Sequence, residues 1–316
     1  MSLTSEIKDS KSHVRRFFSN FENIKGMKDC LSFFQSTKPI RPLSFNILGN
    51  KPSIVHSLIG TVVDYLIRYT SMGNKLIFEE TVAHSGWSLG ACGFKNGYWE
   101  DESLDEKIND LYELGKMNMD GREGIDIDCI YSAIALSILE KVYRSGGILP
   151  NIFLNPSEDK DIRSVLMEYV EQMGGMALLK DISECVKTFN STIIDPKGEL
   201  FRGRIVVFNK TFANSSLVGG ADFDCIFEYD NKLILTEIKT MVKRLEIENL
   251  RQIIGYALLY DEKKDEYKFS DIGFYHSRSG SFRFLSMNII LERCFQKLES
   301  VDHARKEFLK AINSSR

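Results

Sequence analysis

Val14, Phe17, Phe18, Phe21 and Ile24 recur at three- and four-residue intervals, the spacing of one face of an α-helix, and predict a leading helical segment within residues 1–50. The prolines of KPIRP, at 38–42, end that pattern. In SIVHSLIGTVVDYLIRYT, Ile54, Leu58, Val62, Tyr65, Leu66 and Tyr69 line one stripe, which predicts an amphipathic helix. Helical spacing continues over 76–190, notably in DIDCIYSAIALSILEKVYRSGG, whose final glycine pair reads as a helix stop. No strand is expected there.

From Thr192 the period changes. TIIDPKGELFRGRIVVFN reads as extended segments around a DPKG turn. ADFDCIF and KLILTEIK predict two strands joined through EYDNK, where Asp230 and Asn231 tolerate the positive φ of a two-residue turn. RLEIENLRQIIGYALLYDEK predicts a helix that buries Leu250, Ile253, Ile254, Ala257 and Leu258. DIGFYHSR and FRFLSMN predict two further strands, and 289–316 predicts one charged, amphipathic C-terminal helix. The expectation is an α/β chain: a single domain over 1–316, with a sheet core at 200–290 and a mainly helical insertion at 76–190.

Composition narrows this little. The 316 residues, 43% hydrophobic and 27% charged, are ordinary for a globular chain, and a net charge of -3 argues only against a broadly basic nucleic-acid coat. The six cysteines show no CxxC pair and read as reduced thiols. With no signal-peptide core at the N-terminus and no run of about 18 apolar residues, the expectation is a cytoplasmic protein without membrane partners.

The chemistry gathers in GGADFDCIFEYDNKLILTEIKT. If the hairpin turn has two residues, Tyr229 pairs with Lys232, Asp224 falls opposite Glu237, and Asp222 opposite Lys239. All four side chains then share one face. Two carboxylates meeting across a ladder repel unless a cation sits between them, and hard oxygen ligands suit Mg²⁺ or Mn²⁺. A neighbouring lysine can orient water and neutralise charge on a phosphate. The Glu-x-Lys tripeptide alone is weak, since it recurs at Glu6, Glu158, Glu262 and Glu266. Only the copy at Glu237 ends a buried-type strand beside an acid-bearing one. The plainer alternative is a Glu237–Lys239 ion pair on an exposed sheet face.

In order, IGTVVDYLIRY, RIVVFN, GGADFDCIF, LTEIK and RQIIGY resemble the PD-(D/E)XK nuclease superfamily, and within it the RecB-like branch. The resemblance covers residues 55–70 and 200–290. It implies a restriction-endonuclease-like core, with a mixed central sheet flanked by helices, and a Mg²⁺- or Mn²⁺-dependent deoxyribonuclease activity in DNA processing or phage defence. Asp224 or Asp222 would be the first metal ligand, Glu237 the second and Lys239 the catalytic lysine. Asp224 is favoured by the inferred register, and a turn of another length would reverse that. Gln252 and Tyr256 match the Gln-x-x-x-Tyr motif, which contacts DNA or shapes the site. His56 and Asp64 fall on the helix that supplies an upstream metal ligand or supporting acid in relatives. The glycine usual before that histidine is absent, and Asp64 reads equally as an ion pair with Arg68.

His84 and His276 carry no ligand pattern and read as structural. No GxxxxGK[ST] is present, so an ATP-driven helicase would be a separate partner chain, and self-association is the other partner expectation. GxSxG and HExxH are also absent. The competing reading is a nucleic-acid-binding or assembly module that keeps a nuclease fold without turnover.

Overall fold

In the computed structural model of the chain, the described residues are 2–35, 52–95, 102–121, 124–145, 149–154, 160–200 and 203–314. The KPIRP break and the glycine pair at 146–147 lie outside them. Helices α1 (Leu3–Lys8), α2 (His13–Phe21) and α3 (Ile24–Phe34) come first, followed by α4 (Pro52–Ser71), α5 (Val82–Lys95), α6 (Glu102–Met117), α7 (Ile127–Arg144), α8 (Asn151–Leu154), α9 (Ile162–Met173) and α10 (Gly175–Phe189). Strands β1 (Arg204–Phe208), β2 (Cys225–Tyr229) and β3 (Lys232–Lys239) precede α11 (Ile247–Leu259). Strands β4 (Asp271–His276) and β5 (Ser281–Ser286) then lead to α12 (Met287–Cys294) and α13 (Val301–Asn313). The chain divides into two compact units, one formed by Met1–Ile40 with Asp195–Arg316 and the other by Arg41–Ile194. No helix among the described residues is long and apolar enough to cross a membrane.

The first unit is α/β, a five-stranded mixed sheet in the order β1-β2-β3-β4-β5 with helices packed on it. All neighbours run antiparallel except β3 and β4, which are parallel. A parallel pair needs a crossover, and α11 supplies it. Its Leu250, Ile253, Ile254, Ala257 and Leu258 are buried as predicted, in one core with Leu235, Ile226 and Phe274 from the sheet. The β2–β3 turn has two residues, Asp230 and Asn231, with φ of 48° and 60°.

One sequence expectation is refined and two are corrected. The leading segment is three helices, because Ser12 and Asn23 accept backbone N–H groups as N-caps and restart the chain each time. Thr192–Ile194, expected to be extended, belong to a π-helical turn after α10, where the Ser191 and Thr192 hydroxyls donate back to Thr188 O. The C-terminal region is two helices, capped by Ser286 and Ser300. Between them the backbone of Phe295 is extended and bridges to Glu22.

The named elements of the second unit are all helices, built on α7, which is buried along most of its length. The Tyr65 hydroxyl of α4 donates to Glu140 at 2.9 Å and accepts from the Ala83 amide at 3.1 Å, while Arg144 Nε holds the other Glu140 oxygen. A buried carboxylate is tolerated when both its oxygens are bonded in this way.

Candidate active site

The β2–β3 ladder runs from Tyr229↔Lys232 to Cys225↔Thr236, the register expected from a two-residue turn. It stops there. Asp224 lies in a bend just beyond, and its Oδ2 accepts from the Ile238 amide at 2.7 Å, which anchors the carboxylate beside Glu237. The Asp224 carbonyl accepts from Asn209 N at 3.0 Å. Asp222 is not the ladder partner of Lys239. The chain has turned by then, and Asp222 bridges to Thr211 instead.

Glu237 and Lys239 lie two apart on β3, with Leu235 on the same face, toward the core that α11 covers. The Glu237 side chain is buried at 1% exposure. Its Oε2 accepts from Lys239 Nζ, whereas its Oε1 is buried with no hydrogen-bond partner. Burial by itself would lower the Lys239 pKa, but the Glu237 and Asp224 carboxylates outweigh it and raise the pKa, so the amine is a firm cation. Ser277 N donates to the Lys239 carbonyl at 3.0 Å, and Arg278 Nε to Thr240 O at 2.6 Å, fixing the end of β3.

Gln252 and Tyr256 stand one turn apart on α11, and Gln252 Nε2 donates to the Tyr256 hydroxyl at 2.9 Å. Burial, then the negative charge of Glu237, pushes the Tyr256 pKa well above its ordinary value, with Asp224 and Asp222 adding to it and the Gln252 bond opposing it. The phenol therefore stays neutral and faces the same carboxylates. Asp222, Asp224, Glu237, Lys239, Gln252 and Tyr256 thus form one neighbourhood in the first unit.

His56 and Asp64 lie on α4 of the second unit. His56 is half-buried, and the Asp64 carboxylate accepts from the Arg68 guanidinium one turn on. His276 carries no ligand pattern in the sequence, yet the β3–β4 register pairs it with Lys239. Nothing local in the sequence signals this, because the pairing is parallel and spans the whole crossover. Among the described residues no three His, Cys, Asp or Glu side chains gather as a metal-holding group. Compared with family models, curated proteins and solved structures, the chain finds no match in any of the three.

Proposed function

We propose that the first unit is a divalent-cation-dependent nuclease that hydrolyses the phosphodiester bonds of DNA, with the restriction-endonuclease-like core that the motifs resemble. The observation that carries this reading is Glu237: a carboxylate at 1% exposure, beside Asp224, with one oxygen on Lys239 and the other on nothing. An unpartnered buried carboxylate oxygen is costly, and a hard cation would satisfy it.

Asp224 and Glu237 would hold Mg²⁺ or Mn²⁺, an ion that commonly takes one or two protein carboxylates and fills its other positions with water and phosphate oxygens. When bound, it supplies Lewis-acid stabilisation of charge building on the phosphodiester. Lys239, kept protonated by its carboxylate neighbours, neutralises charge on the phosphate and orients the attacking water. Tyr256, held by Gln252 and neutral, presents a hydroxyl at the edge of the same cluster. Lys243 and Arg244 are exposed on the segment that leaves Lys239, as contacts to a phosphate backbone require. The Asp64 carboxylate, on α4 of the second unit, accepts from Arg68, and the proposed cation site rests on Asp224 and Glu237.

The test is incubation with single-stranded DNA, double-stranded DNA and RNA, in Mg²⁺, Mn²⁺ or a chelator. Cleavage of DNA is expected only with a cation, and Lys239→Ala should lower it by about 100-fold or more. Cutting that survives Lys239→Ala, or binding without cutting under every cation, refutes the assignment.

A further inference from the structure

Glu237 Oε1 is not alone at this site in lacking a partner. His276 Nδ1 is also buried without one, and the whole residue is 1% exposed. The two belong to adjacent parallel strands, in a register that pairs Glu237 with Phe274 and Lys239 with His276. Registered neighbours present their side chains to the same sheet face, so the imidazole stands beside the lysine.

The state of the ring is fixed by its other nitrogen. Nε2 lies 3.0 Å from the Phe34 carbonyl oxygen at the end of α3. A carbonyl only accepts, so Nε2 carries the proton and Nδ1 the lone pair. Burial, together with the charge of Lys239, holds the ring pKa below its ordinary value and keeps it neutral, while the Phe34 bond opposes the shift. The result is a buried acceptor next to an ammonium that is bonded elsewhere.

That arrangement matters once a cation arrives. Lys239 Nζ donates to Glu237 Oε2, and a divalent ion taking Glu237 competes for the same carboxylate. A displaced ammonium left buried with no acceptor would oppose cation binding. We infer that His276 is a positioning residue for Lys239: its Nδ1 accepts an N–H of the ammonium when a divalent cation occupies Glu237, and so keeps the lysine at the site. This rests on the reading of Glu237 as a cation ligand.

Two substitutions separate the ring nitrogens. In His276→Gln the amide reaches the Nε2 position and can donate to Phe34 O, but no acceptor remains at Nδ1. In His276→Asn the side-chain oxygen falls near Nδ1, and Phe34 O loses its donor. Mn²⁺ alone is the probe, titrated into each full-length protein and followed by the paramagnetic resonance of the free ion, with melting recorded without metal.

His276→Gln is expected to melt like the wild type yet bind Mn²⁺ about 10-fold more weakly, the scale of losing an outer-shell partner of a metal site. His276→Asn should melt lower and keep the wild-type affinity. Equal affinities in all three proteins, or losses that follow melting temperature alone, overturn the role of His276 and leave the Glu237 site standing. A wild type whose Mn²⁺ binding is absent, or is unchanged by Glu237→Gln, overturns both. A measurement that needs no variant covers a failure to fold: on adding Mg²⁺ to the wild type, the His276 Nδ1 resonance should move toward its hydrogen-bonded position. An unmoved resonance in the cation-loaded protein overturns the proposal.

Discussion

Glu237→Gln removes one negative charge from a cluster in which Asp224 and Glu237 face the ammonium of Lys239. The amide oxygen can still accept from Lys239, so a charged hydrogen bond becomes a half-neutral one, a loss of about 1 kcal/mol. The amide nitrogen then occupies the place of Oε1, which already lacks a partner in the wild type, so that position adds no further cost. Relief of the repulsion between Glu237 and Asp224 works the other way, since the remaining aspartate and lysine balance. The metal-free variant should therefore lose at most about 1 kcal/mol, or about 2–4 °C in melting temperature. In the wild type, Mn²⁺ at about 100 times its dissociation constant adds about 2.7 kcal/mol, a rise of roughly 5–10 °C. The variant should show almost none of that rise. Melting curves of both proteins, with Mn²⁺ and with chelator, decide the matter. An equal Mn²⁺ response in both removes Glu237 from any cation site. A metal-free loss of about 4 kcal/mol with no Mn²⁺ response in either protein would make the residue half of a structural ion pair.

Three other outcomes follow from the first unit. Arg251 grips Glu22 with two nitrogens, at 2.9 and 2.7 Å, and both side chains are buried, so Glu22→Ala should cost about 3 kcal/mol by chemical denaturation. A Cβ on Gly26 would fall 1.7 Å from the Arg293 carbonyl oxygen, so Gly26→Ala must push α3 off α12 and should cost about 3 kcal/mol in the same assay. Because the folded pKa of His276 is depressed, folding favours its neutral form: that stability is present above the unfolded value near 6.5 and is lost as pH falls below it. Melting from pH 7.5 to 5 should accordingly drop more in the wild type than in His276→Gln, and parallel curves would contradict the shift.

The hairpin is legible in the sequence only as far as its ladder runs. Counting back from the Asp230–Asn231 turn gives the observed register as far as Cys225↔Thr236, because turn length sets register in an antiparallel pair, and leaves Asp224 just past the ladder's end with its Oδ2 on the Ile238 amide. The same counting failed two residues later. Asp222 leaves the ladder to bridge with Thr211, and its partner is chosen by the short helical turn at Ser215–Val218, which has no periodic signature. At the N-terminus the apolar stripe shows that the segment is helical but not where it breaks, because caps contribute little to periodicity, although Ser12 and Asn23 each begin a new helix direction.

By itself the sequence determined what depends on neighbours along the chain: helical and strand periods, the two-residue turn, Glu237 and Lys239 on one strand face, and Gln252 beside Tyr256 one helical turn away. Tertiary structure alone decided that β3 and β4 pair in parallel, that His276 comes to lie beside Lys239, and that the end of α3 reaches the imidazole through Phe34. Those contacts join residues separated by a crossover or by most of the chain. They arise because burying the apolar faces of α3, α11 and the sheet in one core leaves few ways to close the connecting loops, a choice made by packing and loop entropy and invisible to local pattern.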